Sequence, residues 1–537
     1  MKKAWLQKDN GKELICFTFP QNMSNYDLYR KVLLIPNIKG KREPFHHWYC
    51  PVNIEVIKDL VTWEFNIDNN LKSLISESLD FKEKHFNSDI PELKKELMPF
   101  QKEGVVFLEE KNGRALLAHE MGLGKTIMSL AWLQKHPELR PAVIICPASL
   151  KLNWQREANT WLTEPDTEIL NSTTPYPTKG KLFIINYDIL NYWIEILRKT
   201  HFKAVIIDES TYIKESTARR TKAIKRLVKG IKHVICLSGT PVLNRPAEIY
   251  NTIKILNPDL FVSAMYFRKR YCNLHYNGFG WDYSGASHIP ELHQILTKTV
   301  MLRKLKKDVL SELPDKLYSF VPIALSNRSH YLNAEKNFIE WVRTEKGDEA
   351  AFRAKRAETF ARIEGLKQLA LKGKTDESVA WIRDFINTEN KLVVFCIHHE
   401  MIDRLKNEFS KVCVKFDGRD TIKQKQNAVD LFQNEERIKL FIGNISAAGV
   451  GINLTASSNV AFLEYPFSPS LLNQAIDRYH RIGQKDNVNV YYLLSQNTIE
   501  ERIAKILDKK KLMTDSLMDG KETETESLIT ELIKIYL

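Results

Sequence analysis

A run of apolar residues ending near Ala118 gives way to "EMGLGKT" (120–126) and then to a helix-patterned stretch from Ile127. These residue types suit one task. Gly122 and Gly124 allow the backbone to approach a phosphate with its N–H groups turned inward. Lys125 brings a positive charge to the outer phosphates, Thr126 carries a hydroxyl able to ligate Mg²⁺, and the helix that follows adds the positive end of its dipole. The strict phosphate-loop pattern has one more glycine, at the position where this chain has His119. A nucleotide site also needs a carboxylate at the tip of a nearby buried strand. "KAVIIDES" (203–210) supplies Asp208, expected to hold Mg²⁺ through water, and Glu209, expected to orient and deprotonate an attacking water. Far along the chain, "NQAIDRYHRIGQ" (473–484) sets Arg478 and Arg481 on one helix face, after the glycine-rich turn "SAAGVGINLT" (446–455). Arginines that meet a nucleotide held elsewhere stabilise charge on a transferring phosphoryl group, so hydrolysis would require two units to close.

These groups need a scaffold that brings strand ends together. Two series of short apolar runs alternate with helical stretches. The first is "RALLA" (114–118), "AVIIC" (142–146), "LFIIN" (182–186), "AVIID" (204–208) and "HVICL" (233–237). The second is "KLVVFC" (391–396), "VCVKF" (412–416), "IKLFIG" (438–443), "NVAFLE" (459–464) and "NVYYLL" (489–494). Runs with almost no polar alternation suit strands buried on both faces, hence parallel sheets covered by helices. The reading is α/β, with two parallel-sheet lobes, helical insertions between them and a small N-terminal α+β module. The expected boundaries are 1–90 for the module, 91–260 for the first lobe, 261–385 for the insertions, 386–510 for the second lobe and 511–537 for a helical tail. Within the insertions, 326–390 reads as helix and "YCNLHYNGFGWDYSGASH" (271–288) as an aromatic, glycine-rich loop.

With 537 residues the chain exceeds a single hydrophobic core, and its 43% hydrophobic and 27% charged content is that of a folded, water-soluble protein. No apolar run is long enough to span a bilayer, and "MKKAWLQKDNGKELICF" turns polar before a signal-peptide core develops. The expected location is the cytoplasm of a bacterial or virus-infected cell, or the nucleus of a eukaryote, with no membrane partner. The seven cysteines are scattered, several inside strand-like runs, and read as small core residues. His46, His47 and Cys50, or Cys272 with His275, lack the second ligand pair of a closed zinc site. A net charge of +13 is compatible with a polyanionic partner without requiring one.

Taken in order, the motifs resemble superfamily II helicases, and more narrowly the Swi/Snf ATPases, whose lobes are RecA-like. The similar stretches are "LMPFQKEGVVFL", "EMGLGKT", "IICPASLKLNW", "IIDES", "LSGTPVLNRPAEIYN", "VVFCIHHEMID", "SAAGVGINLT" and "QAIDRYHRIGQ". "GFGWDYSGASHIPELHQIL", "MLRKLKKDVLSELPDK" and "GLKQLALKGK" look similar to the annealing-helicase branch.

The resemblance implies an ATP- and Mg²⁺-dependent motor acting on duplex, forked or branched DNA. It implies that Gln101 reads the adenine, that His119, Glu120, Met121, Gly122, Leu123, Gly124, Lys125 and Thr126 form the nucleotide loop, and that Gly449 and Gly451 face it from the second lobe. Ser238, Thr240 and Gln474 would couple hydrolysis to movement, while Pro147, Ser149 and Lys151 would lie along the DNA backbone, where phosphate contacts bind without regard to sequence. The N-terminal stretch 33–65 looks similar to the substrate-recognition module of annealing helicases. Its basic turn (Lys39, Lys41, Arg42) and aromatic cluster (Phe45, Trp48, Tyr49) suit DNA, or alternatively a small core.

Two departures stand out: His119 occupies a position usually aspartate, and Thr211 that of the usual histidine in the Asp-Glu box. A strand-separating helicase and a nucleotide-gated DNA scaffold remain the competing readings. Partners beyond DNA, such as a single-strand-binding protein or another replication or repair protein, stay open.

Overall fold

The computed structural model describes residues 2–9, 11–20, 26–32, 35, 38–41, 47–76, 93–242, 245–261, 263–276, 280–310, 314–344, 356–388, 390–448, 454–466, 469–477, 479 and 486–506. Its strands fall into three main sheets and a small hairpin. The first sheet is a mixed N-terminal one made of β1 (Lys3–Asp9), β2 (Lys12–Thr18), β3 (Lys39–Lys41), β4 (His47–Pro51) and β5 (Asn66–Ile67), in the order β3-β4-β2-β1-β5. Helix Ile54–Thr62 covers it with Val56, Ile57 and Leu60, against Ile15 and Phe17.

The first lobe contains β6 (Arg114–Leu117), β7 (Ala142–Cys146), β8 (Thr167–Ile169), β9 (Leu182–Asn186), β10 (Ala204–Ile207) and β11 (His233–Leu237). A short hairpin of β12 (His275–Tyr276) and β13 (Trp281–Asp282) follows, and then β14 (Met301–Leu302). The sheet order is β14-β6-β11-β10-β7-β9-β8, parallel throughout. The second lobe contains β15 (Lys316–Ile323), β16 (Leu392–Cys396), β17 (Cys413–Phe416), β18 (Leu440–Asn444), β19 (Asn459–Phe462) and β20 (Val488–Ser495), ordered β15-β20-β19-β16-β18-β17 and again all parallel.

Why these runs carry so little polar alternation is plain from the packing. Val143, Ile145, Val205 and Ile207 enter one core of the first lobe, while Ala142, Ile144, Ala204 and Ile206 enter the core on the opposite face. In the second lobe Val393 and Phe395 serve one face, and Leu392, Val394 and Cys396 the other. A strand covered on both sides by helices must be apolar at every position. Cys146, Cys236 and Cys396 are free and fully buried in these strands, as small core residues.

The stretch expected to be insertions departs from that description at three points, the first being the hairpin His275–Tyr276/Trp281–Asp282 within the expected loop. Met301–Leu302 extends the first sheet beside β6, and Lys316–Ile323 forms the edge of the second sheet beside β20. Among the described residues the stretch also carries helices, the longest being Arg328–Thr344 and Arg356–Ile386. The longer helix is pinned to the second lobe by Lys374. Its wholly buried ammonium donates to the Leu493 carbonyl at 2.9 Å and to both Glu500 oxygens at 2.7 Å. A buried charge so fully bonded fixes the register of the helix on the sheet. Among the described residues no helix is long and apolar enough to cross a membrane.

Candidate nucleotide site between the lobes

Three neighbouring strands, β6, β11 and β10, deliver the chemistry at their carboxyl ends. Ligands of open parallel sheets bind in this crevice. After β6 the chain turns through Gly122 (φ 89°) and Gly124 (φ 78°), both in the left-handed region, and enters helix Lys125–Lys135. A Cβ on Gly124 would lie 2.4 Å from the Gln101 amide nitrogen, and one on Gly239 would lie 2.3 Å from Met121 Cγ. The loop is therefore closed tightly around glycine at both contacts. β14 braces its entry, where the N–H groups of Ala118 and Glu120 donate to the Leu302 and Lys304 carbonyls at 2.7 and 2.9 Å.

Lys125 folds over the loop and donates to the carbonyls of His119 (2.8 Å) and Glu120 (3.2 Å), close to the Gly239 backbone of β11's end. Glu120, Met121 and Leu123 present backbone here; Met121 and Leu123 bury their side chains. Gln101 is buried, and its carbonyl caps its own helix by accepting from Met98 N–H at 3.0 Å, which turns the amide nitrogen towards Gly124. The His119 side chain does not join the cradle. It is wholly buried, and burial, with Lys125, Arg303 and Lys304 nearby, pushes its imidazole down to about 3. The ring is a neutral, buried group, and it is the backbone of His119 that faces the loop, its carbonyl accepting from Lys125.

At the end of β10 the Asp208 carboxylate accepts from Trp154 Nε1 at 2.8 Å and from Glu209 N–H at 2.9 Å. Tyr187 braces the same tip from behind, its hydroxyl donating to the Asp208 carbonyl at 2.5 Å while its ring stacks on Tyr212. Burial, reinforced by Asp208, raises the Tyr187 phenol well above its ordinary value, so it stays a donor. Glu209 is buried with φ 51°. A non-glycine residue in that region costs roughly 1–2 kcal/mol, a strain of the kind that clusters at functional sites. Thr211 sits buried in the following turn, Ser210–Ile213. Trp154 and Tyr187 as supports were missed from sequence, although Trp154 closes the "SLKLNW" stretch.

Across the cleft the second lobe offers helix Pro469–Ile476 and the residue after it, Asp477. Gln474 Nε2 donates to Thr240 Oγ1 at 3.4 Å, and Thr240 N–H donates to Ser238 Oγ at 3.2 Å, so the expected coupling residues do meet. A stronger bridge was not foreseen. Lys306, buried beside the nucleotide loop, donates its ammonium to Asp477 Oδ1 at 3.0 Å. Its backbone N–H donates to Glu120 Oε2 at 2.8 Å. Lys316 of β15 reaches the same Asp477 oxygen at 2.8 Å. Burial alone would raise the Asp477 carboxyl; Lys306 and Lys316 outweigh it and hold it well below the carboxylate range. Asp477 immediately precedes Arg478. Arg478, Arg481, Gly449 and Gly451 lie outside the described residues.

The residues carried over as DNA contacts fare differently. Pro147 and Lys151 are buried, and the Lys151 ammonium is spent on the Leu170 carbonyl (3.0 Å) and Asn171 Oδ1 (2.6 Å). Lys151 therefore ties a helix to the sheet edge, while Ser149 is half-buried. Trp48 is half-buried too, packed against the module's core and meeting Tyr29 edge to face at 5.8 Å.

Comparison with known proteins identifies the family. Residues 100–401 match the SNF2-related domain, and residues 377–483 the helicase conserved C-terminal domain. The chain is 33% identical over 457 residues to the mouse (Mus musculus) DNA annealing helicase and endonuclease ZRANB3, covering 81% of this chain and 42% of that protein. It is 32% identical to the Caenorhabditis elegans homolog of SWI/SNF-related matrix-associated actin-dependent regulator of chromatin subfamily A-like protein 1, covering 80% of this chain and 64% of that one. The chain thus spans less than two thirds of either relative. Among solved structures, the Sulfolobus solfataricus SWI2/SNF2 ATPase core in complex with dsDNA aligns with 81% of this chain and 95% of its own, at 25% identity and a TM-score of 0.38. With its phosphate loop, its Asp-Glu strand tip and a matched domain covering more than half of its length, the chain belongs to the SNF2-related family.

Proposed function

We propose that the chain is a DNA-dependent ATPase that moves along duplex DNA and remodels forked or branched structures. The observation that carries this reading is the bridge between lobes: Lys306 joins the nucleotide loop, through Glu120, to Asp477 beside Arg478. An ATP site whose floor is bonded to the opposite lobe suits a motor better than a static binder. The glycine cradle and the carboxylate at the tip of β10 fit a nucleoside triphosphate with Mg²⁺, the ion supplying charge neutralisation to the phosphates when bound. Lys125 would leave the loop carbonyls for the phosphates, Asp208 and Thr126 would hold the ion, and Glu209 would accept the proton of the attacking water. Arg478 and Arg481 would complete the site on closure, and Gln101 would select adenine. The names of the relatives, which include annealing helicases, support the DNA reading.

The test separates binding from turnover. Lys125→Ala should weaken nucleotide binding, measured with a fluorescent ATP analogue. Glu209→Gln should retain ATP while turnover falls by roughly 100-fold or more, the usual size of a general-base contribution. Near-normal turnover in Glu209→Gln would remove the basis of the assignment.

A further inference from the structure

The hairpin β12–β13 takes no part in the nucleotide site. It places Tyr276 directly opposite Trp281, and the two rings meet edge to face with centroids 5.8 Å apart. They remain 62% and 60% exposed. These two large aromatics are mostly open to solvent and pack chiefly on each other, and exposed apolar surface of this kind is a candidate binding site. The stem is rigid. Ser284 donates from both N–H and Oγ to Asp282 Oδ1, at 2.8 and 2.7 Å, and Ser287 Oγ donates to the Arg270 carbonyl at 2.8 Å. Tyr271 and Cys272 root it in the first lobe's core.

Cations ring the foot. Arg268 lies over the Tyr283 ring at 4.2 Å and Arg245, which also pairs with Glu215 at 3.3 Å, lies over it at 5.3 Å; Lys269, next to Arg268 in sequence, is exposed. Arg245 belongs to the same segment as Thr240, which meets Gln474 of the second lobe. Helix Ile289–Thr299, which follows the hairpin, ends at the contact with the N-terminal module, where Asn53 Nδ2 donates to the Lys298 carbonyl at 3.0 Å.

Building on the DNA-motor reading, we propose that Tyr276 and Trp281 form a stacking platform for unpaired nucleobases at a DNA branch, with Arg245, Arg268 and Lys269 close to the phosphates of the same strand. Every base has a π-face, so such a platform is tolerant of sequence, and the adjoining cations favour a polyanion over an apolar peptide.

The experiment uses the full chain and compares wild type with Tyr276→Ala/Trp281→Ala and Tyr276→Phe/Trp281→Phe. Fluorescence anisotropy measures binding to a fork with unpaired arms and to a blunt duplex. Loss of base stacking should weaken fork binding on the order of 5- to 100-fold. Blunt-duplex affinity and duplex-stimulated turnover should stay within about twofold, the expected residual for a group that blunt duplex does not engage. The double phenylalanine variant should keep most fork affinity. In wild type, 5-iodouracil at the first unpaired position should photocross-link to Tyr276 or Trp281, a readout independent of whether the alanine variant folds. Unchanged fork affinity, equal losses on fork and duplex, or cross-links elsewhere would each overturn the platform. So would intact DNA binding with loss of a protein partner. A wild-type chain that duplex DNA does not stimulate would instead fail the motor reading itself.

Discussion

The bridge Lys306–Asp477 makes a quantitative prediction. Lys306 is 3% exposed and the Asp477 side chain 8%, with their charged atoms 3.0 Å apart. At that separation the gross attraction is about 5 kcal/mol with an effective dielectric of about 20. Removing one partner of a buried pair typically costs about 3–5 kcal/mol, because the other charge is left buried. Lys306→Met is the informative change, since Asp477 keeps Lys316 and the second lobe stays intact. The lost interaction then falls on lobe closure and not on folding. Turnover on duplex DNA should drop by about 10- to 100-fold, the equivalent of roughly 1.4–2.8 kcal/mol, while KM for ATP changes little because Lys125 and Asp208 are untouched. A double-mutant cycle with Asp477→Asn, read on kcat, should give a coupling of about 2 kcal/mol, within the range for residues in direct contact. Additivity within about 0.5 kcal/mol, or a loss confined to KM, would refute the argument that this pair couples the lobes.

Other outcomes follow from single residues. Because the His119 ring titrates near 3 when folded and near the ordinary histidine value when unfolded, the unfolded chain binds more protons between those values. Its contribution is complete above pH ~6.5 and declines as the pH falls, by about 2 kcal/mol between pH 6.5 and 5; thermal melts should show a steeper acid loss in wild type than in His119→Gln, and equal slopes would contradict the burial argument. Trp48→Ala should cost the N-terminal module about 2 kcal/mol, less than the 3–5 typical of full burial, while leaving ATP turnover on blunt duplex in place. A parallel loss of turnover would mean that the module and the first lobe fold as one unit.

How much of this was visible in the sequence depends on length and on locality. The ten runs were legible because most of these strands are buried on both faces and nearly all apolar; the edge strand β17 keeps a half-buried Lys415. β14 was not, being two residues long, and β15 was not, because an edge strand with Leu317, Tyr318 and Phe320 exposed carries no buried face to read. The glycine loop and the Asp-Glu tip were legible as local patterns. Trp154 on Asp208 and Lys306 on Asp477 are pairings across long stretches of chain, and only the fold brings them together. Where the Lys151 ammonium points was not legible either: its position in a motif says nothing of that, and here it bonds to the Leu170 carbonyl.

The most direct measurement is the steady-state ATPase rate of the full chain with no nucleic acid, with single-stranded DNA, with blunt duplex and with a fork. If the lobes carry separate halves of one site, turnover should be low alone and rise by an order of magnitude or more, roughly the kcat effect of completing an electrostatic site, with duplex or forked DNA. Equal turnover in all four conditions would contradict the account of a motor closed by DNA.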